Sequence, residues 1–238
     1  MPKISVIIPA RNEERHIGGC LAAIEAAAGR INASVEIIVV LNRCSDHTEA
    51  LAREHACVIV SDDRKNLAQI RNSGARAASG DWLVTIDADS RMSANMLERV
   101  SAELSSARVV GGGVLILPER WSAGIILTGI CLVPVALWHG ISGGLFFCRK
   151  ADFDAIGGFN EHLTSVEDID FAIRLKRHGR QKGQRFVTLL RSWIVTSCRK
   201  FDYFGDWYFL RHPLTSLQLL KSRNPEAASR IWYDFEHR

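Results

Sequence analysis

The sequence has few cysteines, and they are widely spaced. They are Cys20, Cys44, Cys57, Cys131, Cys148 and Cys198. No Cys-x-x-Cys pair occurs, which excludes the usual zinc clusters and dense disulfide frameworks. The N-terminal apolar run is short and meets Pro9 and then charged residues, so it lacks the apolar core of a signal peptide. We therefore expect a reduced, cytoplasmic chain.

The chain also lacks a strong charge excess. Its 30 Lys and Arg against 26 Asp and Glu give a net charge of +4, which is too small to indicate binding to nucleic acid. Glycine and proline are near average usage, which excludes a fibrous or disordered protein. At 238 residues and 47% apolar content, the chain is expected to form one compact domain with at most a small appendage.

Four short apolar runs are typical of strands buried on both faces. They are Ile4–Ile8, Val35–Leu41, Cys57–Val60 and Trp82–Ile86. Helical patterns at 13–28, 48–55 and 67–78 lie between them. This alternation predicts a parallel α/β sheet, in which ligands bind beyond the carboxyl ends of the strands. Polar segments stand at those ends, at 10–14, 42–47 and 87–90.

The second half is less regular. Apolar runs at 109–117, 144–148, 186–190 and 193–197 surround a helix predicted over 167–178, which Gly179 should end. The segment 123–147 carries no formal charge apart from His139. A membrane span, a buried or surface-docked helix and a re-entrant segment all stay open, although Pro134 and five glycines argue against a regular span.

The composition changes near the C-terminus. From Phe201 onward, 38 residues hold nine of the 19 aromatic side chains. We predict a main domain over residues 1–200 and an aromatic-rich helical appendage over 201–238. The appendage is expected to cover the sheet edge or a like subunit, or to face an apolar acceptor or a membrane surface.

Two carboxylates, Asp87 and Asp89, follow the predicted strand 82–86. Alternate residues face one side of a strand, so this pair is able to share a hard divalent cation that bridges a diphosphate. An ordinary turn is the alternative, because Asp often ends strands.

Five ordered motifs give this pair a context. They are Val6-Ile-Ile-Pro-Ala-Arg-Asn-Glu-Glu, Ile37-Ile-Val-Val-Leu-Asn-Arg-Cys-Ser-Asp, Ile70-Arg-Asn-Ser-Gly with Gly80-Asp-Trp-Leu-Val-Thr-Ile-Asp-Ala-Asp-Ser, Gly157-Gly-Phe-Asn-Glu, and Val166-Glu-Asp-Ile-Asp. The series resembles the family 2 glycosyltransferases of GT-A fold over roughly residues 4 to 200. The resemblance implies an α/β fold with a mostly parallel sheet flanked by helices. It also implies a nucleotide-sugar donor, Mn²⁺ or Mg²⁺, and transfer with inversion, of the hexosyltransferase type.

The resemblance assigns residues to the nucleotide-sugar. They are Pro9, Ala10, Asn12, Glu13, Asn42, Asp46, Arg71, Asp87, Ala88, Asp89 and Arg199. Asp89, supported by Asp87, would hold the metal, with His212 as a further ligand or else a surface residue. The family usually has Asp-Asp-Gly-Ser where this chain has Asn42-Arg-Cys-Ser. Asn42 is still able to accept a base N–H, and uracil is favoured on family grounds. Asn12 is also a candidate helix N-cap.

The acidic pair Glu167-Asp168 matches the position of the family's general base, which we assign to Asp168. Gly157, Gly158, Phe159 and Glu167 are placed on the acceptor side. Alternatively, Thr164 and Glu167 form a capping box. A helix N-terminus is expected to lower the pKa of Asp168. Arg199, in a Ser-x-Arg-Arg-like element, would grip the diphosphate, with a solvated basic turn as the alternative.

These observations predict a glycosyltransferase that uses a nucleotide-sugar, with UDP favoured, and an unidentified hydroxyl acceptor, for which a lipid-linked molecule is one option. The location is cytoplasmic, or peripheral at the inner face of the membrane, and self-association stays open. A nucleotidyltransferase is disfavoured because no glycine-rich loop follows the first strand. A catalytically idle nucleotide-sugar binding module is the other alternative.

Overall fold

The computed structural model describes residues 2–139, 142–163 and 165–220. The strands are β1 Ile4–Ala10, β2 Val35–Leu41, β3 Cys57–Ser61, β4 Trp82–Ile86, β5 Ser90–Met92, β6 Val109–Pro118, β7 Gly143–Arg149 and β8 Arg185–Thr196. The helices are α1 Ile17–Ala28, α2 Thr48–Arg53, α3 Leu67–Ala77, α4 Met96–Leu104, α5 Ala123–His139, α6 Lys150–Ala155, α7 Glu167–Gln181, α8 Arg199–Phe204, α9 Tyr208–Arg211 and α10 Pro213–Leu220.

The strands form one mixed sheet in the order β3-β2-β1-β4-β7-β6-β8-β5. The first four strands in the sequence, β1 to β4, pair in parallel, as predicted. Strand β7 then pairs antiparallel with both β4 and β6, whereas β6 and β8 are parallel. The predicted α/β class is confirmed. Because β1, β2 and β4 run in parallel, their carboxyl ends lie together at one edge of the sheet.

Two apolar layers cover the two faces of the sheet. On one face, Ile17, Leu21 and Ile24 of α1 join a cluster with alternate residues of β1. On the other face, α3 and α7 cover the remaining strand residues and a group of phenylalanines. Every residue of β1 is buried, which explains why its sequence is apolar without alternation except at Ser5, whose hydroxyl donates to Glu36.

The second half differs from the prediction at two points. The runs 186–190 and 193–197 belong to one strand, β8, whose pairing with β6 shifts register between them. Gly179 does not end α7, because the helix continues to Gln181. A Cβ on Gly179 would lie 2.6 Å from a methyl of Val110, so this glycine permits close packing. The residue with positive φ after the helix is Gly183, at 70°.

The uncharged segment 123–147 does not form one helix. Its first part is α5, which packs against α9, and residues 143–147 belong to strand β7, whose pairing with β4 and β6 requires an extended backbone. Among the residues that the structure describes, no helix is long and apolar enough to cross a membrane. The predicted boundary between residues 200 and 201 falls inside α8, and residues 221–238 of the predicted appendage lie outside the described part of the chain. The division into domain and appendage stays a prediction.

Alanine substitutions at two helical glycines should have opposite effects on stability. Gly179→Ala should lower the free energy of unfolding by about 1–3 kcal/mol, because the new methyl overpacks Val110. Gly18→Ala in α1 is the matched control, since nothing lies within 4 Å of its added Cβ. It should raise the free energy of unfolding by about 0.5–1 kcal/mol. Urea unfolding of both variants measures the difference, and stabilisation by both would contradict the close packing.

Candidate active site

An open cleft lies at the carboxyl ends of β1, β2 and β4. Its lining consists of Pro9, Ala10, Arg11, Glu13, Asn42, Leu67, Ile70, Asp87, Ala88, Asp89, Arg199 and Lys200. Most of the predicted donor-binding residues are therefore brought together. Lys200 was not predicted, although it occupies the last position of the Ser-x-Arg-Arg-like element that pointed to Arg199.

Arg199 connects the loop after β1 with the end of β4. Its Nη1 and Nη2 donate to Glu13 Oε2 and Oε1 at 2.8 and 2.6 Å, and Nη2 lies 3.3 Å from Asp89 Oδ2. The Glu13 side chain is only 7% exposed, so the paired guanidinium compensates a buried charge. Arg199 thus fixes the two carboxylates, and its predicted contact with a diphosphate stays a prediction.

Arg71 makes a second connection, from α3 to the other carboxylates. Its Nη2 donates to Asp87 Oδ1 at 2.7 Å and its Nη1 to Glu167 Oε1 at 2.8 Å. The guanidinium is buried and lies 5.3 Å above the centre of the Phe159 ring. Burial disfavours its charge, but the carboxylates of Asp87 and Glu167 hold the pKa of Arg71 above its ordinary value. Arg71 therefore remains a cation between the cleft and α7.

The acidic pair lies at the start of α7. Asp168 Oδ1 accepts a hydrogen bond of 2.8 Å from the N–H of Ile169. The preceding residue, Val166, is left-handed at φ 57°, which is strained for a β-branched side chain. Burial raises the pKa of both Asp168 and Glu167, although the nearby Arg71 opposes the change. The expectation that the helix N-terminus lowers the pKa of Asp168 is therefore wrong, because burial outweighs it.

The capping-box alternative is also wrong for Glu167. The N-cap of α7 is Val166, which makes no side-chain cap, and the Glu167 carboxylate is bonded to Arg71 instead. Thr164, the other residue of the proposed box, lies outside the described residues. The Glu167 side chain therefore points towards Arg71 and the candidate site, and not back to the helix backbone.

Asn12 and Asp46 do not line the cleft. Asn12 is left-handed at φ 51°, and its Oδ1 accepts from the Ser45 N–H at 2.9 Å. It is not the N-cap of α1, since that position belongs to His16. Asp46 accepts from the N–H and the hydroxyl of Thr48 at 3.0 and 2.6 Å. Both residues hold the loops after β1 and β2 together, and their predicted donor contacts stay predictions.

Asn42 is held in one orientation. Its Nδ2 donates to the carbonyls of Asp62 and Arg64 at 2.5 and 2.8 Å, and its Oδ1 accepts from Arg43 Nη2 at 3.1 Å. The two carbonyls require a donor, so the network fixes which amide atom is the acceptor. Sequence reasoning missed Asp62, which follows β3. Its carboxylate accepts a hydrogen bond from Arg64, and this bond holds the pKa of Asp62 far below the usual range. Its position at a strand end was the available signal.

The residues predicted on the acceptor side support the site from beneath. Phe159 is buried and stacks on Phe171 with ring centres 4.3 Å apart. Asn72 Nδ2 donates to the Phe159 carbonyl, and the Phe159 N–H donates to Asn72 Oδ1, both at 2.9 Å. Gly157 and Gly158 have positive φ and do not line the cleft. Contact of these residues with an acceptor stays a prediction.

The metal prediction rests on two carboxylates. Within the described residues, no three His, Cys, Asp or Glu side chains form a metal-binding group, so His212 does not complete such a group with Asp87 and Asp89. His212 packs on Tyr208 with ring centres 4.7 Å apart. Its role as a ligand stays a prediction.

The fixed amide of Asn42 predicts an unusual cost for a conservative change. Asn42→Asp should lower the free energy of unfolding by about 1–3 kcal/mol, because a carboxylate oxygen would face the carbonyls of Asp62 and Arg64 in a buried place. Asn95→Asp is the matched control, since this half-buried amide donates to a single carbonyl, that of Arg191. Chemical denaturation compares them, and equal costs would refute the proposed orientation.

Comparisons with known proteins agree with this geometry. A model of the family "Glycosyl transferase family 2" matches residues 5–122. Glycosyltransferase AglE of Haloferax volcanii is 31% identical over 222 residues, which cover 87% of this chain and 69% of AglE. A glycosyltransferase of Haemophilus influenzae is 25% identical over 188 residues, and the match spans 61% of its length.

Solved structures share the fold at low sequence identity. S. aureus TarS 1-349 in complex with UDP-GlcNAc has a TM-score of 0.64 and 16% identity, over 98% of this chain and 71% of that one. The Pyrobaculum calidifontis mannosyltransferase PcManGT in complex with GDP-Man and Mn²⁺ has a TM-score of 0.63 and 17% identity, over 97% and 74% of the two chains. The fold is GT-A, and the chain belongs to glycosyltransferase family 2.

Proposed function

We propose that this protein is an inverting, metal-dependent glycosyltransferase that moves a sugar from a nucleotide-sugar to a hydroxyl acceptor. The observation that carries the proposal is a series of ion pairs that runs from the cleft to the start of α7. Arg71 joins Asp87 to Glu167 at hydrogen-bond distance, and Asp168 stands beside Glu167 with a raised pKa. A partly buried carboxylate with a perturbed pKa, close to a cleft, is the arrangement expected of a general base.

The donor set of the cleft fits a divalent cation. Asp87 and Asp89 offer carboxylate oxygens, which Mg²⁺ and Mn²⁺ prefer, and such ions are commonly held by one or two carboxylates together with substrate phosphates. A third protein ligand is therefore not required. When bound, the cation would neutralise charge on the departing diphosphate. Arg199 and Lys200 line the same cleft, and we assign them to the diphosphate as well.

The orientation of Asn42 supports a base that presents an N–H. Its amide oxygen is the acceptor in the hydrogen-bond network, and uracil and guanine both carry a ring N–H, whereas cytosine and adenine present a ring acceptor at that edge. We favour uracil, in line with the UDP-GlcNAc complex of TarS. Guanine is the second candidate, in view of the GDP-Man complex of PcManGT.

We assign the proton transfer to Asp168. The acceptor hydroxyl oxygen attacks the anomeric carbon as the carbon–oxygen bond to the diphosphate breaks, and the electron pair of that bond leaves with the diphosphate. Asp168 takes the hydroxyl proton in the same step. The configuration inverts because the oxygen attacks the face of the carbon opposite the departing diphosphate. Its raised pKa makes it a stronger base than an exposed aspartate. Glu167, bonded to Arg71, holds the start of α7 in position.

The donor and metal assignment is tested by thermal shift with UDP-, GDP- and dTDP-sugars, each with and without Mn²⁺. One donor should stabilise the chain only with the metal, by about 2.7 kcal/mol at a hundredfold over its dissociation constant. Asp89→Asn should abolish that gain, whereas Asp154→Asn, an exposed aspartate on α6 with a side chain 60% exposed, should keep it. An equal gain in all three proteins would refute the metal site.

Asp168→Asn should separate binding from chemistry. Donor binding should stay near wild type, while transfer should fall by about a hundredfold to ten-thousandfold, the usual contribution of a general base. Radiolabelled transfer and calorimetry measure the two quantities, with Asp154→Asn again as control. Equal losses of both would assign Asp168 to the donor site. Hydrolysis or transfer by the wild type also excludes an idle binding module.

The same variant makes a prediction about stability against pH. A carboxyl whose pKa is raised by folding binds its proton more tightly in the folded state, so its ionisation lowers stability as the pH rises above its ordinary value of 3.8. Asp168→Asn should therefore be more stable than wild type at neutral pH, and the difference should shrink as the pH falls towards 4. Denaturant unfolding across this range checks the sign. A constant or reversed difference would contradict the raised pKa.

A further inference from the structure

Gly143, the first residue of β7, lies beside the acidic pair of α7. A Cβ built on this glycine would have Asp168 Oδ2 as its nearest atom, at 3.9 Å, and Cζ of the Phe146 ring as the next, at 4.0 Å. Among the described glycines, it is the one whose added Cβ would meet a carboxylate oxygen of a side chain. Gly143 and Asp168 are both half-buried, so a ligand is able to reach the space between them.

Packing does not require a glycine at this position. The two contacts of an added Cβ are of ordinary van der Waals length, and Gly143 does not have positive φ. Its neighbours in the sheet differ. A Cβ on Gly113 would lie 2.6 Å from the Ser142 carbonyl oxygen, and Gly144 has φ 77°. The fold is therefore able to accept a side chain at Gly143, and what the glycine provides is an open space beside Asp168.

The oxygen that borders this space is the open one of the carboxylate. Asp168 Oδ1 accepts a hydrogen bond of 2.8 Å from the N–H of Ile169. Within the described part of the chain, Oδ2 makes no hydrogen bond with another residue. A carboxylate oxygen has lone pairs for such bonds, so Oδ2 is the atom that is free to take a proton from a ligand.

The space has the position expected for the carbon of an alcohol. When a hydroxyl donates to a carboxylate across about 2.7 Å between the two oxygens, its own carbon lies about 3.6 Å from the carboxylate oxygen. A Cβ on Gly143 would lie 3.9 Å from Asp168 Oδ2 and would therefore stand close to that place. The buried Phe146 ring borders the same place, which suits a C–H group and not a second water molecule.

We propose that Gly143 determines which acceptors this glycosyltransferase uses, because it leaves room for the hydroxyl-bearing carbon of an alcohol beside Asp168 Oδ2. The inference rests on the proposed function and names the class of acceptor that the site takes. The hydroxyl proton passes to Oδ2 as the hydroxyl oxygen bonds to the anomeric carbon, and the nucleoside diphosphate leaves with the electron pair of the broken bond. Gly143 gives and takes no proton, so its role is to set the shape of the acceptor site.

Gly143→Ala tests this role by filling the space with one methyl group. The donor selected by thermal shift is incubated with glycerol as the acceptor probe, and transfer to glycerol is compared with hydrolysis by water. The ratio of transfer to hydrolysis should fall by at least about tenfold, because the methyl takes the place of the glycerol carbon, whereas water has none. Gly18→Ala, whose added Cβ meets nothing within 4 Å, should keep the wild-type ratio. An unchanged ratio in Gly143→Ala overturns the proposal.

A second measurement needs no turnover and decides the matter if glycerol is a poor acceptor. A water-soluble carbodiimide with methylamine converts an accessible carboxyl group into its methylamide, and peptide mass spectrometry follows this reaction at Asp168. Labelling of Asp168 should be several-fold slower in Gly143→Ala than in wild type and Gly18→Ala. Asp154, with a side chain 60% exposed, is the internal reference and should react equally in all three proteins.

The outcomes separate this proposal from the proposed reaction. Circular dichroism and the donor-induced thermal shift should be the same in the three proteins, since the added methyl makes only ordinary contacts. Equal labelling of Asp168 in the three proteins overturns the role of Gly143 and leaves the reaction standing. Slower labelling in Gly143→Ala, with no donor turnover by wild type, refutes the reaction and with it the assignment of the space to an acceptor.

Discussion

A single buried cation, Arg71, organises the candidate site. It is covered by protein, lies on the ring of Phe159, and bonds to carboxylates from two distant parts of the chain. Burying a charge is costly unless its partners are equally well placed, so the geometry of Asp87 at the end of β4 and of Glu167 at the start of α7 depends on this side chain. The donor cleft and the acidic pair are therefore one electrostatic unit. Without the cation, the remaining carboxylates would face each other in a medium that screens them poorly.

Arg199 has an equivalent role at the other side of the cleft, where it pairs with two carboxylates. Its bidentate bond to Glu13 and its contact with Asp89 join three segments that are far apart in sequence. Because Arg199 is also the first residue of α8, the start of the C-terminal helices is anchored directly at the cleft. A displacement of these helices would therefore move Arg199, which contacts Asp89 directly.

Much of the first half could be predicted from the sequence. Strands that are buried on both faces leave uninterrupted apolar runs, and ligand-binding residues follow the carboxyl ends of parallel strands. Most of the cleft, from Pro9 to Asp89, follows from that rule. The second half could not be read in the same way. Gly179 carries the usual signal of a helix end, yet it serves close packing on Val110, and only tertiary contact decides between these roles. The loop function of Asn12 depends on a hydrogen bond to Ser45, a residue that no local pattern connects to it.

The direction of the pKa of Asp168 shows why local rules also fail within a site. A helix N-terminus stabilises a negative charge by about 0.3–1 kcal/mol when exposed, whereas burial penalises the same charge more strongly, and the nearby carboxylate of Asp87 adds to that penalty. The left-handed Val166 adds backbone strain immediately before the pair. The start of α7 is therefore locally destabilised in the folded state. The packing of the sheet and of the phenylalanine group offsets this destabilisation. A carboxylate held in this way gains stability when it accepts a proton, which is the property that proton abstraction from a hydroxyl requires.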